Sequence, residues 1–186
     1  GGERGIDGVP SNKKVSLLIW TTTPWTLVAN VAVAVHREFI YVAVDIGDEI
    51  LIVEKTLSVS VLEKGKVVNF KILKEFNGHE LTALKYHHPL SAKTDCVVVT
   101  ADYVTKEDGT GLVHTAPGHG QDDFQTGLKY NLPVLMPVNN QGIYTADAGH
   151  WAGEHVFKAN EKILAHLKDK GVLFLHQPFP HTYPHC

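Results

Sequence analysis

Short runs of β-branched and apolar residues, separated by polar or glycine-containing turns, constrain the fold of this chain most. Such runs are typical of strands, because β-branched side chains suit a pleated and partly buried surface. We expect strands at residues 14–20, 30–36, 41–46, 49–55, 67–76, 95–100 and 111–115. Residues 57–65 fit a strand or a short helix, and we favour a helical turn there.

Two helices and a last strand are expected in the remainder of the chain. Asp122 and Asp123 precede FQTGLKY, which ends near Lys129, so acidic and basic residues complement the helix dipole. Apolar residues recur at near-helical spacing over residues 153–170, and residues 172–179 again resemble a strand. The predicted fold class is α+β: a mainly β, barrel-like domain with peripheral helices.

Composition narrows the function classes. The 186 residues suffice for one domain with a sizeable core, and no apolar run is long enough for a membrane-spanning helix. A net charge of −3 argues against a protein that grips long nucleic acid by its phosphates, although contact with one end stays possible. Cys96 and Cys186 form no CxxC pair, which favours reduced thiols and a cytoplasmic location. We also expect a monomer without a membrane partner.

The ends of the chain suggest a domain excised from a longer protein. Residues 1–13 lack the apolar segment of a secretory signal, and we expect a flexible leader or an artificial boundary there. Residues 14–186 form the expected domain, which stops abruptly on FPHTYPHC.

The first unusual motif is WTTTPWTL at residues 20–27. Three threonines, Thr21, Thr22 and Thr23, follow an apolar strand, and Pro24 then stops the ladder because it has no N–H to donate. Hydroxyls and free backbone groups emerging at such a turn can hold a water or a hydroxyl-bearing ligand. Threonine is also common in ordinary strand ends, and the motif alone does not separate the two interpretations.

The second motif is GTGLVHTAPGHGQDDF at residues 109–124. It lacks the GxxxxGK[ST] pattern and precedes a strand, which excludes a phosphate loop. His114 and His119 with Asp122 or Asp123 could bind a metal, but a Pro-Gly turn separates the histidines and no helix presents both rings. Zinc would need a third ligand from elsewhere. We expect no metal, and a metal-dependent hydrolase remains an alternative.

Taken singly, the residues of this motif allow two interpretations each. His114 ends a strand, so its ring either lines the mouth of a cavity or is an ordinary wall histidine. Asp123 either faces a pocket and pairs with an ammonium group or caps the helix. Asp122 is the better candidate for the cap, and His119, between two glycines, is expected to have no chemical role. The sequence contains no signature of a covalent mechanism.

Together, the two motifs resemble the editing insertion of class I aminoacyl-tRNA synthetases of the isoleucine, valine and leucine group. WTTTPWTLVANVAVAV resembles its threonine-rich peptide, and GTGLVHTAPGHGQDDFQTGLKYNLPV resembles its second conserved region. The resemblance continues through GEHVFKAN to HTYPHC and covers about residues 12–186. TTTPWT is similar to the isoleucyl form and differs from the TTRP of leucyl and valyl relatives, whereas Val28 replaces a common proline.

The resemblance implies a role for each candidate residue. Asp123 would anchor the α-ammonium of an aminoacyl group, with general base as its competing role, and His114 would form a wall of the side-chain pocket. The threonines and Trp25 would place the terminal adenosine and the attacking water, and Asn30 would belong to the same region. The implied catalytic set is Thr21, Thr22, Thr23 and Asp123, and the implied substrate-binding set is His114, Asp123, Trp25 and Asn30. Glycines around Gly109 and Gly118 would allow close backbone approach.

The implied reaction is hydrolysis of the ester that joins valine to the 3′-terminal adenosine of tRNA(Ile). Valine and isoleucine differ by one methylene, worth only about 1–3 kcal/mol in a binding pocket, a limit already established for isoleucyl enzymes. A second pocket too small for isoleucine would remove the valyl product, next to the catalytic domain of the parent enzyme. No cofactor is implied. A binding module that captures misacylated ends without hydrolysing them remains an alternative.

Overall fold

The computed structural model describes residues 8–10, 12–176 and 182–184, which form two four-stranded sheets, a two-stranded sheet and three α-helices. The strands are β1 (Lys14–Leu17), β2 (Ala32–Val35), β3 (Ile40–Asp45), β4 (Glu49–Glu54), β5 (Lys71–Asn77), β6 (Lys85–Tyr86), β7 (Cys96–Thr100), β8 (Leu112–Thr115), β9 (Leu173–His176) and β10 (Thr182–Pro184). The helices are α1 (Lys55–Lys64), α2 (Gln121–Tyr130) and α3 (Val156–Asp169).

The first sheet has the strand order β1-β4-β3-β5 and is covered on both faces. Ile50 and Ile52 of β4 belong to the main core, whereas Leu51 and Val53 pack against α1 in a second cluster. A strand that is buried on both faces needs an unbroken apolar run, which is what EILIVE supplies. β1 runs parallel to β4, and β3 pairs antiparallel to both β4 and β5.

The second sheet has the strand order β6-β7-β2-β8 and carries the candidate histidine. β2 is completely buried, runs parallel to β7 and pairs antiparallel with β8. In that register Val33 lies opposite His114. His114 therefore lies on a strand next to the completely buried β2, and the regular hydrogen bonds between the two strands hold its backbone in place.

The two four-stranded sheets come together at the threonine-rich peptide. After β1 the chain continues to Trp20, which makes an isolated parallel bridge to Val113 of β8. The chain then turns into a 3-10 helix, Pro24–Ala29, in which the proline stands at the first position. Trp20 thus joins the two sheets, and within the described residues neither sheet closes into a barrel.

The predicted architecture, mainly β with peripheral helices, is confirmed, with shifted boundaries. β1 ends at Leu17 and β5 begins at Lys71, so both are shorter than predicted, while the helical turn at residues 57–65 is the full helix α1. The short strands β6 and β10 were not predicted. The last predicted strand is β9 up to His176, and residues 177–179 lie outside the described residues.

The start of α2 corrects one expectation from the sequence. Gly120 is the N-cap residue, and no side chain caps the helix, so the prediction that Asp122 forms the cap is wrong. Asp122 and Asp123 instead lie in the first turn, where their charges still complement the helix dipole. The helix ends at Tyr130, and its C-cap residue Asn131 adopts a left-handed conformation with φ of 54°.

Part of the predicted leader contacts the domain. Val9 packs against the main core, and Lys13 Nζ lies 2.8 Å from Asp45 Oδ2. Cys96 is a buried free thiol, and Cys186 lies outside the described residues. Within the described part of the chain, no helix combines the length and apolar character needed to cross a bilayer.

Candidate active site

A cavity of about 250 Å³ opens between the threonine-rich peptide, β8 and the start of α2. It brings together five of the predicted site residues, namely Thr21, Thr22, Thr23, His114 and Asp123. Four further residues line it: Trp20, Thr26, Val113 and His119. Its volume is below that of typical drug-sized pockets, which suits a small group such as an amino-acid side chain and its ester.

The threonine-rich peptide is held from behind by distant parts of the chain. The backbone N–H of Trp25 donates to Asn160 Oδ1 of α3 at 2.9 Å, and the Tyr144 hydroxyl donates to the Trp25 carbonyl at 2.5 Å. These two bonds fix the first turn of the 3-10 helix. The threonine side chains that precede it are therefore presented to the cavity by a rigid support.

The threonine hydroxyls make long contacts with one another. Thr21 Oγ1 accepts from the backbone N–H of Thr23 at 3.0 Å, but its distance to Thr23 Oγ1 is 3.4 Å. Thr23 Oγ1 and Thr26 Oγ1 are 3.5 Å apart. Hydroxyl pairs at these distances are weak, so the exposed Thr23 hydroxyl can turn to a substrate oxygen or a water at little cost.

His114 forms one wall of the cavity, and both of its ring nitrogens have protein partners. Its Nε2 lies 2.9 Å from Thr26 Oγ1, and its Nδ1 lies 2.7 Å from Asn30 Nδ2. Burial, together with the smaller effects of the nearby His88 and His119, lowers the pKa of His114 to about 3. The ring is therefore neutral at physiological pH, and a pKa this low makes it a weak base towards an attacking water.

Buried neutral histidines make the fold sensitive to acid. Burial also lowers the pKa of His88, to about 4. As the pH falls, His88 and His114 therefore bind a proton at a higher pH in the unfolded chain than in the folded one. The stability that these two neutral rings contribute is fully present above the ordinary histidine pKa and is lost as the pH falls below it.

We expect the free energy of unfolding to fall by about 2 kcal/mol for each of these histidines between about pH 7.5 and pH 5. Urea unfolding at the two pH values measures it. In His114→Gln the pH-dependent loss should be smaller by about 2 kcal/mol than in the parent chain. Equal losses in the variant and the parent would contradict the assignment of a depressed pKa to His114.

Asp123 faces the cavity as a half-buried carboxylate. Its Oδ2 accepts from the backbone N–H of Ala116 at 3.0 Å. Burial raises the pKa of Asp123, with the Asp122 charge adding to the shift, while the Ala116 bond partly offsets both. Across the described residues, no cationic side chain lies within salt-bridge distance of this carboxylate. A cationic ligand group would thus meet an acceptor whose charge the protein leaves uncompensated.

His119 also lines the cavity, which the sequence analysis did not foresee. Its ring lies edge-to-face with Trp25, with 5.2 Å between the ring centroids, and burial lowers its pKa. Its Nε2 is buried and has no hydrogen-bond partner among the residues that the structure describes. The signal that could have found it is its place in the turn that directly joins β8 to α2, since both flanking elements carry predicted site residues.

Trp25 and Asn30 lie behind the cavity surface. Trp25 contacts His119 by its ring and does not itself line the cavity. Asn30 is fully buried and touches His114 Nδ1 through its side-chain amide. Both residues therefore support groups that line the cavity.

At the two glycines predicted to allow close backbone approach, the group that comes close belongs to this chain itself. Gly109 has φ of +76°, and a Cβ there would lie 1.8 Å from Trp20 Nε1, so glycine lets the indole ring lie against the turn. A Cβ at Gly118 would lie 2.3 Å from the Leu135 carbonyl oxygen. Gly109 therefore shapes a wall of the site, which Trp20 lines, whereas Leu135 lines a second cavity.

In the described part of the chain, no group of three or more histidine, cysteine, aspartate or glutamate side chains is arranged to hold a metal ion. A second cavity, about 550 Å³, lies between the 3-10 helix and residues 88–93, 134–137 and 147–151. It is larger, but none of the predicted site residues lines it.

Comparison with known families decides what this arrangement belongs to. Residues 9–164 match the family model described as leucyl-tRNA synthetase, editing domain. The chain belongs to this family of editing domains. The recognition based on the threonine-rich peptide and on the second motif is thereby confirmed.

The editing domain is similar in sequence to isoleucine–tRNA ligases. It is 48% identical over 171 residues to the enzyme of Fervidobacterium pennivorans, a match that covers 91% of this chain and 18% of that enzyme. It is 42% identical to the enzyme of Alkalilimnicola ehrlichii over 186 residues, which are 100% of this chain and 19% of that enzyme. The chain thus spans about a fifth of the length of these relatives.

Solved structures show the same fold. The crystal structure of GlLeuRS-CP1 superposes with a TM-score of 0.73 at 20% identity, covering 90% of this chain and 87% of that one. The cytosolic leucyl-tRNA synthetase editing domain of P. falciparum gives a TM-score of 0.55 at 16% identity over 65% of this chain and 48% of that one. At such identities the likeness supports the fold and says nothing of the substrate.

Proposed function

We propose that this editing domain hydrolyses valyl-tRNA(Ile), cleaving the ester between valine and the 3′-terminal adenosine. The observation that carries the proposal is Asp123, a half-buried carboxylate at the cavity without a cationic partner among the described residues. An aminoacyl ester brings an α-ammonium group, which would compensate that charge. Charge-assisted bonds of this kind are short and strong, and they also orient the ester.

The reaction needs positioning more than activation, because an ester is already reactive. A water held by the hydroxyls of Thr21, Thr22 and Thr23 adds to the carbonyl carbon, and the bond from that carbon to the ribose oxygen breaks. The ribose oxygen leaves with a proton supplied by the water. Holding the water and ester together lowers the barrier by proximity and orientation. His114 does not act as the base, since both its nitrogens are engaged and its low pKa makes it a weak proton acceptor.

Substrate choice depends on the His114 wall. The ring is held in place, so a side chain one methylene longer than valine would have to displace a buried, hydrogen-bonded group. Well-packed sites resist such displacement because inserting extra methylenes forces strained rotamers. Isoleucyl-tRNA(Ile) is therefore spared.

The domain works within a longer synthetase in this proposal. The 3′ end of tRNA(Ile) carrying valine is its substrate, and the catalytic domain of the parent enzyme is its neighbour. A net charge of −3 fits a domain that touches one end of the tRNA while other parts hold the body. We place the protein in the cytoplasm as a monomer without a cofactor.

The proposal is tested by single-turnover hydrolysis of valyl-tRNA(Ile) by this chain, with EDTA present. We expect release of valine at the same rate with and without the chelator. Loss of activity in EDTA would favour a metal-dependent hydrolase built on His114, His119 and Asp123. Protection of the ester without turnover, under conditions where tRNA binding is measured, would favour the binding module.

A further inference from the structure

A chain of buried hydrogen bonds continues from His114 into the second sheet. The hydroxyl of Tyr86, in β6, donates to Asn30 Oδ1. The side-chain nitrogen of Asn30 donates to the Ala32 carbonyl at 3.0 Å and reaches His114 Nδ1 at 2.7 Å. Tyr86 is 6% exposed and Asn30 is fully buried, so neither touches a ligand in the cavity.

At the Asn30 end of this hydrogen-bond network, the donors and acceptors can be assigned in one way. A backbone carbonyl only accepts, so the Asn30 atom that faces Ala32 must be the nitrogen. That nitrogen has its second hydrogen for His114, and His114 Nδ1 is therefore the accepting, unprotonated nitrogen. The Asn30 oxygen then faces Tyr86, whose hydroxyl supplies the donor that the oxygen needs.

The Thr26 end of the hydrogen-bond network leads to the same assignment. The Thr26 hydroxyl donates its hydrogen to the Thr23 carbonyl at 2.8 Å. Its oxygen is then left to accept from His114 Nε2, which must carry the ring proton. Two independent sets of bonds thus select the Nε2–H tautomer of the ring. The ring nitrogens are assigned from the bonding pattern of their partners.

We propose that Tyr86 is a positioning residue for the His114 wall: through the Asn30 amide, its hydroxyl acts together with the Ala32 and Thr26 bonds to hold the orientation of the ring and its Nε2–H tautomer. Without that hydroxyl, the Asn30 oxygen has no donor at its end, and the preference of the amide for its present orientation is weakened to what the Ala32 carbonyl supplies. A rotated amide would present its oxygen to Nδ1 and draw the proton there. Nε2 would then face Thr26 as an acceptor, and the ring would no longer be held in a single state.

The effect on substrate choice rests on the proposed hydrolysis of valyl-tRNA(Ile), whereas the tautomer does not. The test therefore combines two measurements on Tyr86→Phe. Long-range ¹H–¹⁵N spectra report which nitrogen of His114 carries the proton, with the signals assigned by comparison with His114→Gln. Single-turnover assays report the ratio of valyl to isoleucyl hydrolysis.

A matched control exists in the first sheet. Tyr41 is also fully buried, and its hydroxyl accepts from the His36 N–H at 2.9 Å and donates to the Gly111 carbonyl at 2.6 Å. Tyr41→Phe thus removes a buried, doubly bonded hydroxyl without touching a partner of His114. It separates a loss of general stability from a loss of positioning.

We expect the parent chain to carry the His114 proton on Nε2 between about pH 5.5 and pH 8. In Tyr86→Phe the ¹⁵N chemical shift of His114 Nδ1 should move towards the average of its protonated and unprotonated values. The ratio of valyl to isoleucyl hydrolysis rates should fall by about fivefold, which is the effect of one buried hydrogen bond. Tyr41→Phe should leave both unchanged.

Several results would overturn the proposal. One is a parent chain with its His114 proton on Nδ1, which needs no variant and so remains decisive if Tyr86→Phe does not fold. The others are a Tyr86→Phe chain with an unchanged tautomer or an unchanged ratio, and a ratio that falls equally in Tyr41→Phe. A parent chain that leaves valyl-tRNA(Ile) intact would instead overturn the proposed function, while the nitrogen spectra would still test the positioning.

Discussion

Replacing Asp123 with asparagine is expected to slow hydrolysis of valyl-tRNA(Ile) by about 100-fold. Loss of one partner from a buried, hydrogen-bonded charge pair costs about 2–5 kcal/mol, and each 1.4 kcal/mol corresponds to a factor of ten. Asparagine keeps a side-chain oxygen for the Ala116 N–H and removes only the charge. Single-turnover rates of the two chains measure the effect.

Asp122→Asn is the matched control for this substitution. It removes the same charge from the adjacent residue, which is exposed and lies in the same first turn of α2. We expect its rate to stay within about twofold of the parent, because surface charges have small effects. Equal losses in the two variants would mean that the overall charge of the turn matters and that Asp123 has no specific role.

A modified substrate separates the two roles that Asp123 could have. An ester of 2-hydroxy-3-methylbutanoate carries a hydroxyl where valine has its ammonium group. If Asp123 anchors the ammonium, Asp123→Asn should slow hydrolysis of the hydroxy ester by less than about threefold, because this ester has no ammonium group to pair with the carboxylate. If Asp123 is the general base, the substitution should slow both esters equally, which would contradict the anchor role.

His114→Ala is expected to let isoleucyl-tRNA(Ile) be cleaved, raising its rate by at least about tenfold. One methylene is worth about 10-fold to 200-fold in discrimination, and removing the ring vacates more volume than one methylene needs. The rate for valyl-tRNA(Ile) should fall less, because the alanine leaves Asp123 and the threonine hydroxyls in place. Rates for both esters, measured in parallel, give the change in selectivity.

His88→Ala controls for the loss of a buried histidine. His88 and His114 are 4% and 7% exposed, and burial lowers the pKa of both, but His88 does not line the candidate cavity. Both variants should lose stability in urea unfolding, and only His114→Ala should cleave the isoleucyl ester. Continued rejection of isoleucine by a folded His114→Ala chain would remove the size-limiting role.

The strands could be predicted from sequence because their signal is local. The four central residues of EILIVE and all of AVAV are apolar, as buried strands require, and these segments form β4 and β2. β6 was missed because a pair of residues, Lys85 and Tyr86, carries no periodic pattern. Its pairing with β7 is a tertiary contact, and it places the hydroxyl that completes the His114 bonding chain.

Five of the residues that line the candidate cavity were named from sequence, while the bonds that order them lie beyond local sequence patterns. Thr26 and Asn30 are 88 and 84 residues from His114, so no spacing rule connects them to the ring. Asn160, which anchors the backbone at Trp25, is 135 residues away. His119 was set aside because glycines flank it, yet the turn between β8 and α2 brings its ring to the cavity.

The most direct test of the account is the ratio of single-turnover hydrolysis rates for valyl-tRNA(Ile) and isoleucyl-tRNA(Ile) with the unmodified chain. A pocket limited by a fixed His114 ring should favour the valyl ester by about tenfold or more. Equal rates for the two esters would contradict a size-limited editing site. Binding of both tRNAs without cleavage would contradict the assignment of hydrolysis to this domain.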